Sequence, residues 1–198
     1  MPQPEPDEGV LNLFRSTGAY LSGHFRLTSG LHSPEYLQCA LVLQHPRHAE
    51  KLGQQLAVAL MAVAGPQPVN LVASPAIGGL IIGHEVARAL GTRFIFAERD
   101  AGKMTLRRGF EVTAGETAAV VEDVITTGGS TREVIEALRA RGVRVVAAGS
   151  IIDRSGGAVD LGVPRVALET LTVISHPPES CPLCAQGIPV VKPGSRPT

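Results

Sequence analysis

The residues best suited to chemistry lie in the stretch 118–131, AAVVEDVITTGGST. Two neighbouring carboxylates, Glu122 and Asp123, follow an apolar run, and small hydroxyl residues and glycines follow them. Carboxylates suit the vicinal hydroxyls of a sugar or a divalent cation. Backbone amides of a glycine-containing loop that leads into a helix suit a phosphate group. The stretch therefore predicts a site for a ribose 5-phosphate.

A plain strand-to-helix turn is the alternative interpretation of the same stretch. In that case the glycines and hydroxyl residues only cap the helix, and Glu122 and Asp123 are solvated. The succession of two acids, Thr-Thr-Gly-Gly and Ser-Thr at the end of a buried strand favours the phosphate site. The loop has neither the Gly-Lys-Ser/Thr of a P-loop nor a G-x-G-x-x-G pattern.

The segment VVEDVITTGGST resembles the phosphoribosyl pyrophosphate (PRPP) signature of the type I phosphoribosyltransferases. The resemblance implies that the acidic pair holds the ribose 2′ and 3′ hydroxyls and that the following loop cradles the 5′-phosphate. Many members carry Asp where this chain has Glu122. The PRPP-binding residues implied here are Glu122, Asp123, Val124, Ile125, Thr126, Thr127, Gly128, Gly129, Ser130 and Thr131. A catalytic role is implied for Asp123.

A second glycine turn, SPAIGG, lies between a strand predicted over residues 69–73 and a helix predicted over 80–90. It resembles the family's pyrophosphate loop, which often contains a cis peptide that does not involve proline. The residues implied in that role are Pro75, Ala76, Ile77, Gly78 and Gly79. Many members have Lys in place of Gly78, so backbone amides are expected to meet the pyrophosphate here.

The segment 98–112 is rich in basic residues and poor in apolar ones, which predicts a long mobile loop. It can be a solvated basic loop or a lid over a polyanion, and its place between two core strands favours the lid. It resembles the family's catalytic loop, which reaches into the neighbouring subunit. The resemblance implies PRPP contacts by Arg99 and Lys103, a catalytic role for Lys103, and a homodimer with shared active sites. The family's usual His is absent, and Thr105 stands near its place.

Base recognition is predicted from two further segments. The pattern F-x-L-x-S-G-x-x-S-x-x-Y, in a predicted hairpin over residues 23–43, resembles the base-covering hood of orotate phosphoribosyltransferases. Many members have Lys at Thr28, which leaves Arg26 as the nearby cation. His24 and His32 fit a solvated role or a ligand role equally.

Arg154 follows a predicted core strand, where an arginine can bind a planar carboxylate such as that of orotate. A surface turn formed by Asp153 and Arg154 has comparable weight from the residues alone. The resemblance favours Arg154, Thr127 and Arg26 as the orotate-binding residues.

The C-terminal segment contains Cys181-x-x-Cys184 with His176 nearby. These residues are short of the usual four zinc ligands unless Cys39 or another group completes the set. A compact turn without metal is therefore favoured. Three cysteines and the lack of a basic-then-apolar leader predict a reducing cytoplasm.

Composition bounds the class of protein. With 44% hydrophobic and 18% charged residues, the 198-residue chain is globular, and 18 basic residues balance 18 acidic ones. The sequence therefore predicts no nucleic-acid footprint and no membrane span. Alternating strands and helices predict an α/β, doubly wound, mostly parallel sheet. Residues 1–198 are expected to form one domain, with residues 1–45 and about 170–198 as the hood that the resemblance implies.

Together, these features resemble orotate phosphoribosyltransferase and imply its reaction. PRPP and orotate give orotidine 5′-monophosphate and pyrophosphate in pyrimidine biosynthesis, with Mg²⁺ as cofactor held mainly by PRPP. Two alternatives stay open at this point. One is a phosphoribosyltransferase for uracil or a purine, and the other is a PRPP-sensing regulator that binds RNA or DNA. The neutral charge balance counts against the regulator.

Overall fold

The computed structural model describes residues 9–27 and 29–193 and divides into two compact units. The larger unit is Leu43–Leu171, and the smaller one combines Met1–Val42 with Thr172–Thr198. These bounds lie near those expected for the hood. Thr28, where the resemblance places a lysine, lies outside the described residues.

Helices and strands alternate along most of the chain. In order they are α1 (Val10–Ser16), β1 (Tyr20–Arg26), β2 (His32–Leu37), α2 (Cys39–Leu43), α3 (Pro46–Ala64), β3 (Leu71–Pro75), α4 (Gly79–Leu90), β4 (Arg93–Asp100), β5 (Lys103–Leu106), β6 (Thr117–Ile125), α5 (Gly129–Arg139), β7 (Arg144–Asp153), β8 (Arg165–Thr170), a 3₁₀ turn (Pro178–Ser180) and α6 (Pro182–Ala185). None of the helices in the described part of the chain is long and apolar enough to cross a membrane.

The larger unit contains a six-stranded sheet in the order β5-β4-β3-β6-β7-β8. All neighbouring strands are parallel except the β4–β5 pair. The predicted doubly wound, mostly parallel sheet is confirmed. Strands β3 and β6 are adjacent, and the chain proceeds from them towards opposite edges of the sheet. Ligands of such sheets bind where the order reverses, beyond the carboxyl ends of these strands.

Apolar burial fixes the position of β6 and α5. Ala118, Ala119, Val120 and Val121 are wholly buried, as expected for a strand covered on both faces. One face of α5 is also buried, through Val134, Ile135 and Leu138, whose spacing is helical. The turn between β6 and α5 is therefore held at both ends by the core.

The prediction of a long loop over residues 98–112 is wrong, because most of this segment forms a β-hairpin. Strands β4 and β5 pair from Ala97 with Leu106 to Asp100 with Lys103. Ala101 and Gly102 both have positive φ, 46° and 85°, as a two-residue hairpin turn requires. Met104 is buried in the core of the unit. The segment has so many charged residues that the alternation of buried and exposed positions in β4 and β5 is not evident from the sequence.

In the smaller unit, β1 and β2 form the predicted antiparallel hairpin, with an irregularity between Ser22 and Phe25. The C-terminal segment joins this hairpin through isolated bridges that pair Phe25 with Val191 and His32 with His176. Strand β8 ends at Thr170, and bridges replace regular pairing beyond it.

Candidate active site

The turn after β6 forms a recess whose shape suits a phosphate. Residues 126–128 connect β6 to α5, and the side chains of Thr126 and Thr127 are exposed. The first N–H groups of α5 have no partner within the helix, and they form the positive end of its dipole. The recess is lined by Glu122, Val124, Ile125, Thr126, Thr127, Gly128, Gly129, Ser130 and Thr131. Thus the predicted phosphate-loop residues line one recess together with the first acid.

Gly128 is the pivot of this turn. Its φ is 72°, in the left-handed region, and a Cβ there would lie 2.6 Å from Val159 Cγ1. The Arg132 guanidinium donates to the carbonyls of Asp160, at 2.9 Å, and Thr127. Nothing in the sequence pointed to Arg132, since it is one of many charged residues on helix surfaces. The Arg132 side chain holds the loop by a hydrogen bond to a backbone carbonyl, and such a bond leaves no residue pattern in the sequence.

Replacing Gly128 with Ala is expected to disturb this loop. The left-handed conformation alone costs an L-residue roughly 1–2 kcal/mol, and the clash with Val159 adds to that. We expect a lower Tm and a large loss of PRPP affinity, measured by calorimetry. Gly115→Ala is the matched control, because Gly115 has a φ of 87° but no atom within 4 Å of its Cβ position. Equal loss of PRPP affinity in both variants would contradict the role given to the Gly128 contact.

The acidic pair occupies the last part of β6. Glu122 is only 8% exposed, so the interpretation of this residue as a solvated acid is wrong. Burial, then the neighbouring charge of Asp123 and a hydrogen bond with it, raise the pKa of Glu122 well above its usual value. The backbone N–H of Val124 donates to Asp123 Oδ1 at 2.9 Å. Burial beside Asp123 therefore shifts Glu122 towards its protonated form relative to an exposed glutamate.

This raised pKa predicts a pH-dependent stability. The unfolded chain releases the Glu122 proton above its ordinary pKa of about 4.3, while the folded protein retains it to higher pH. The wild type therefore loses stability as the pH rises through this window, and Glu122→Gln does not. We expect the Tm of Glu122→Gln to exceed that of wild type at neutral pH and to match it below about pH 4.3. The exposed Glu136→Gln is the control, and a gap independent of pH would contradict the assignment.

The loop after β3 meets the acidic pair. Its Ala76–Ile77 peptide bond is cis, as the family resemblance predicted. A Cβ on Gly78 would lie 2.6 Å from Asp123 Oδ1, and one on Gly79 would lie 3.0 Å from the carbonyl oxygen of Val121. A side chain at position 78 therefore requires Asp123 to shift. Glycine at this position lets the backbone before α4 approach the carboxylate directly.

The β4–β5 hairpin is held by Glu133 of α5. Arg99 donates to Glu133 Oε1 at 3.0 Å and to the carbonyl oxygen of Gly102 at 2.7 Å. The backbone N–H of Met104 donates to the other oxygen of Glu133, at 3.2 Å. Lys103 is exposed beside the turn. Thus Arg99 contacts the helix that begins at the phosphate loop, not the recess itself. The sequence reasoning missed Glu133 because nothing local links it to residues so far back in the chain.

Arg154 lies where strand β7 ends, next to the phosphate loop. Its backbone N–H donates to the carbonyl oxygen of Ile125, the last residue of β6, at 2.8 Å. The expected alternative, a surface turn of Asp153 and Arg154, is wrong, because Asp153 is fully buried and pairs with Arg165 at 2.6 Å. Desolvation opposes ionisation of Asp153, but hydrogen bonds from Ser155 and the Arg165 charge lower its pKa overall. A buried anion thus anchors the backbone that carries Arg154.

The remaining predicted residues belong to the smaller unit. Arg26 is exposed on β1, and its backbone N–H donates to the carbonyl oxygen of Val191 at 2.8 Å. His24 and His32 are 3% and 6% exposed, so their interpretation as solvated residues is wrong. The two histidines lie next to Cys181 and Cys184.

Comparison with known proteins finds that this chain is similar to phosphoribosyltransferases. The family model of the phosphoribosyl transferase domain matches residues 42–162. The orotate phosphoribosyltransferase of Pelotomaculum thermopropionicum is 60% identical over 187 residues, which cover 94% of this chain and 96% of that protein. The orotate phosphoribosyltransferase of Heliobacterium modesticaldum is 55% identical, over 94% of this chain and 97% of that protein. The crystal structure of orotate phosphoribosyltransferase from Aeropyrum pernix has a TM-score of 0.65 at 27% identity and covers 82% of this chain and 93% of that one.

Proposed function

Because this chain belongs to the orotate phosphoribosyltransferase family, we propose that it transfers the 5-phosphoribosyl group of PRPP to orotate. The products are orotidine 5′-monophosphate and pyrophosphate, in the synthesis of pyrimidine nucleotides, and we place the reaction in the cytoplasm. The observation that supports this most is the meeting of an acidic pair, a phosphate-sized loop and a cis-peptide loop at the point where the sheet order reverses.

PRPP is expected to lie along the carboxyl ends of β3 and β6. The 5′-phosphate binds to the recess of residues 126–131, where backbone amides and hydroxyls are available. Asp123 and Glu122 bind the ribose hydroxyls. The pyrophosphate lies over residues 75–79, which approach Asp123 closely at Gly78. Every one of these contacts comes from the larger unit, so the PRPP site needs no residue from the hood.

The acidic pair is expected to contribute unequally to PRPP binding. Asp123→Asn removes a carboxylate charge, whereas Glu122→Gln replaces a carboxyl group that the folded protein favours in its protonated form. We therefore expect Asp123→Asn to weaken PRPP and Mg²⁺ binding more than Glu122→Gln. Calorimetric titration with PRPP, with and without Mg²⁺, measures both losses. Unchanged affinity in the double variant would show that the pair does not bind the ribose.

Mg²⁺ fits the donors of this site as an ion shared with the substrate. Carboxylate oxygens are suitable ligands, but Mg²⁺ usually keeps water and takes only one or two carboxylates beside substrate phosphates. Among residues 9–27 and 29–193, the one group of three or more side chains that could hold a metal by themselves lies in the smaller unit. Glu122 and Asp123 are only two carboxylates, so they would share a Mg²⁺ ion with PRPP. When bound, the ion neutralises charge on the departing pyrophosphate.

In this reaction the protein mainly positions the substrates and stabilises the charges that develop. By family analogy, the bond between ribose C1 and the pyrophosphate oxygen loosens first, and C1 acquires oxocarbenium character. A base nitrogen then attacks C1 from the opposite face. The two glycine-containing loops fix both ends of the ribose, and the cationic hairpin residues Arg99 and Lys103 stabilise the developing pyrophosphate anion. We propose that they act across a homodimer interface, because Arg99 contacts Glu133 of α5 and neither cation lines the recess of its own chain.

Orotate differs from uracil by its carboxylate, so the enzyme needs a cation for that group. Arg154 is the candidate, because its backbone lies against the end of β6 and its side chain is half-buried. A planar guanidinium can donate two parallel hydrogen bonds to a carboxylate. We further propose that Thr127 and Arg26 contact the base.

A base panel tests the proposed function. The purified full chain is mixed with Mg²⁺ and PRPP and with orotate, uracil, adenine, hypoxanthine or guanine, and the nucleotide and pyrophosphate formed are quantified. We expect turnover with orotate and none above background with the other bases. Asp123→Asn is the control for contaminating enzyme. Turnover with uracil or a purine, but not orotate, would replace the proposed substrate, and PRPP binding without any turnover would favour a regulator.

A further inference from the structure

Four side chains from distant parts of the sequence converge in the smaller unit. They are His24 and His32 of the β-hairpin and Cys181 and Cys184 of the C-terminal segment. Their ligand atoms all lie within 4.8 Å of one another, and His24, His32 and Cys181 are buried. The proposed phosphoribosyl transfer uses none of them. We propose that they bind one Zn²⁺ ion in a tetrahedral site that fastens the C-terminal segment to the hairpin.

The distances fit a tetrahedral site. His24 Nε2 is 2.9 Å from His32 Nδ1 and 3.5 Å from Cys181 Sγ, while Cys184 Sγ is 3.3 Å from His32 Nδ1 and 3.8 Å from His24 Nε2. With zinc–nitrogen bonds near 2.0–2.1 Å and zinc–sulfur bonds near 2.3 Å, ligand atoms at tetrahedral angles stand about 3.3–3.8 Å apart. The two ring nitrogens need to separate slightly to admit the ion, and all four ligand atoms already lie within 4.8 Å of one another.

The hydrogen bonding of His24 prepares it as a ligand. Its Nδ1 lies 2.7 Å from the carbonyl oxygen of Ile188, so Nδ1–H donates there and Nε2 keeps its lone pair for the cluster. Metal-bound histidines commonly donate their other N–H to a backbone carbonyl in this way. Two thiolates and two neutral imidazoles balance the charge of a divalent ion. A set of two sulfurs and two nitrogens in tetrahedral geometry favours zinc.

Hydrogen bonds join the C-terminal segment to the hairpin, while many of its large apolar side chains stay exposed. Four of its large apolar side chains are exposed, namely Ile174, Ile188, Val190 and Val191, with exposed fractions of 61%, 40%, 45% and 55%. Backbone hydrogen bonds of 2.8 Å link Val191 to His24 and Arg26, and His176 to His32. Hydrophobic burial in so small a unit is limited, and small units often rely on metals or disulfides instead. A metal bound to both segments would add a further cross-link to these hydrogen bonds.

This cluster bears on the metal-free turn that the sequence favours. From the sequence, Cys181, Cys184 and His176 fall short of four ligands unless Cys39 or another group completes the set. Instead, two residues of β1 and β2 complete the set. Both cysteines are free thiols in the structure, so no disulfide competes for them there.

Metal analysis of the intact protein is the direct test. The full chain, produced without a histidine tag and passed over a weak chelator, is expected to keep about one zinc per chain by mass spectrometry of the elements. X-ray absorption should show two sulfur scatterers near 2.3 Å and two nitrogen scatterers near 2.0–2.1 Å. Cobalt substitution should give the visible absorption of a tetrahedral site and thiolate charge-transfer bands. These measurements need no variant.

Variants then connect the metal to the four residues. Cys184→Ser and His32→Gln should retain almost no zinc and should have a lower Tm, as should wild type treated with a strong chelator. Cys39→Ser and His176→Gln are matched controls and should keep their zinc. The proposal is overturned if zinc-supplemented wild type binds no metal, if cobalt gives an octahedral spectrum, if Cys181 and Cys184 form a disulfide in the purified protein, or if the controls lose zinc as fully as the ligand variants.

Discussion

Lys103→Ala should lower kcat for orotate by about 10² to 10³-fold while leaving the fold intact, because one preorganised charge is removed from a developing anion. Lys103 is exposed beside the turn of the β4–β5 hairpin, so its side chain is not part of the core. Steady-state kinetics and a melting curve measure the two parts of the expectation. Arg107→Ala is the matched control, since Arg107 is an exposed cation of the same segment and pairs with Asp100 at 3.7 Å. A comparable loss in the control would point to general electrostatics.

Subunit mixing distinguishes a lysine that acts in its own chain from one that acts in the partner. Lys103→Ala and Asp123→Asn proteins are each expected to be nearly inactive. If the sites are shared, a heterodimer has one site with both defects and one with neither, so activity should recover after mixing. No recovery after verified subunit exchange would contradict action across the dimer.

Arg154→Ala should raise the KM for orotate by about 10²-fold and leave PRPP affinity nearly unchanged. A charged hydrogen bond is worth about 1.5–3 kcal/mol, and the guanidinium makes two to the carboxylate. Arg154→Lys should recover only part of the affinity, because an ammonium group lacks the planar fork. Steady-state kinetics with orotate and calorimetry with PRPP separate the two substrates.

The control for Arg154 lies on the same strand. Arg144 is exposed at the opposite end of β7, and Arg144→Ala removes the same charge away from the site. We expect its KM for orotate to match that of wild type. If Arg154→Ala instead loses PRPP and orotate affinity equally, the residue contacts phosphate or supports the loop, and the assignment of the base contact fails.

The sequence predicted the backbone elements around the two glycine-containing loops. The loop between β6 and α5 and the loop after β3 each combine a buried strand, glycines and a helix start within a few residues, so type and spacing are sufficient. Parallel pairing then places the two loops side by side, so closely that a Cβ on Gly78 would meet Asp123.

Long-range pairing was the part that sequence reasoning could not reach. The β4–β5 hairpin is pinned by Glu133, and the Cys-x-x-Cys motif meets His24 and His32, although these partners are far apart in the chain. The burial of Asp153 with Arg165 is of the same kind. The periodicity of apolar residues indicates which face of a helix or strand is buried. It does not identify the polar residue of another element that contacts that helix or strand.

A crystal structure of the protein with orotidine 5′-monophosphate would show where the phosphate, the ribose and the base bind. We expect the phosphate in the recess of residues 126–131, the ribose hydroxyls on Glu122 and Asp123, and the base carboxylate on Arg154. Density for the phosphate at any other loop, with the recess after β6 empty of ligand, would show that the proposed site is wrong.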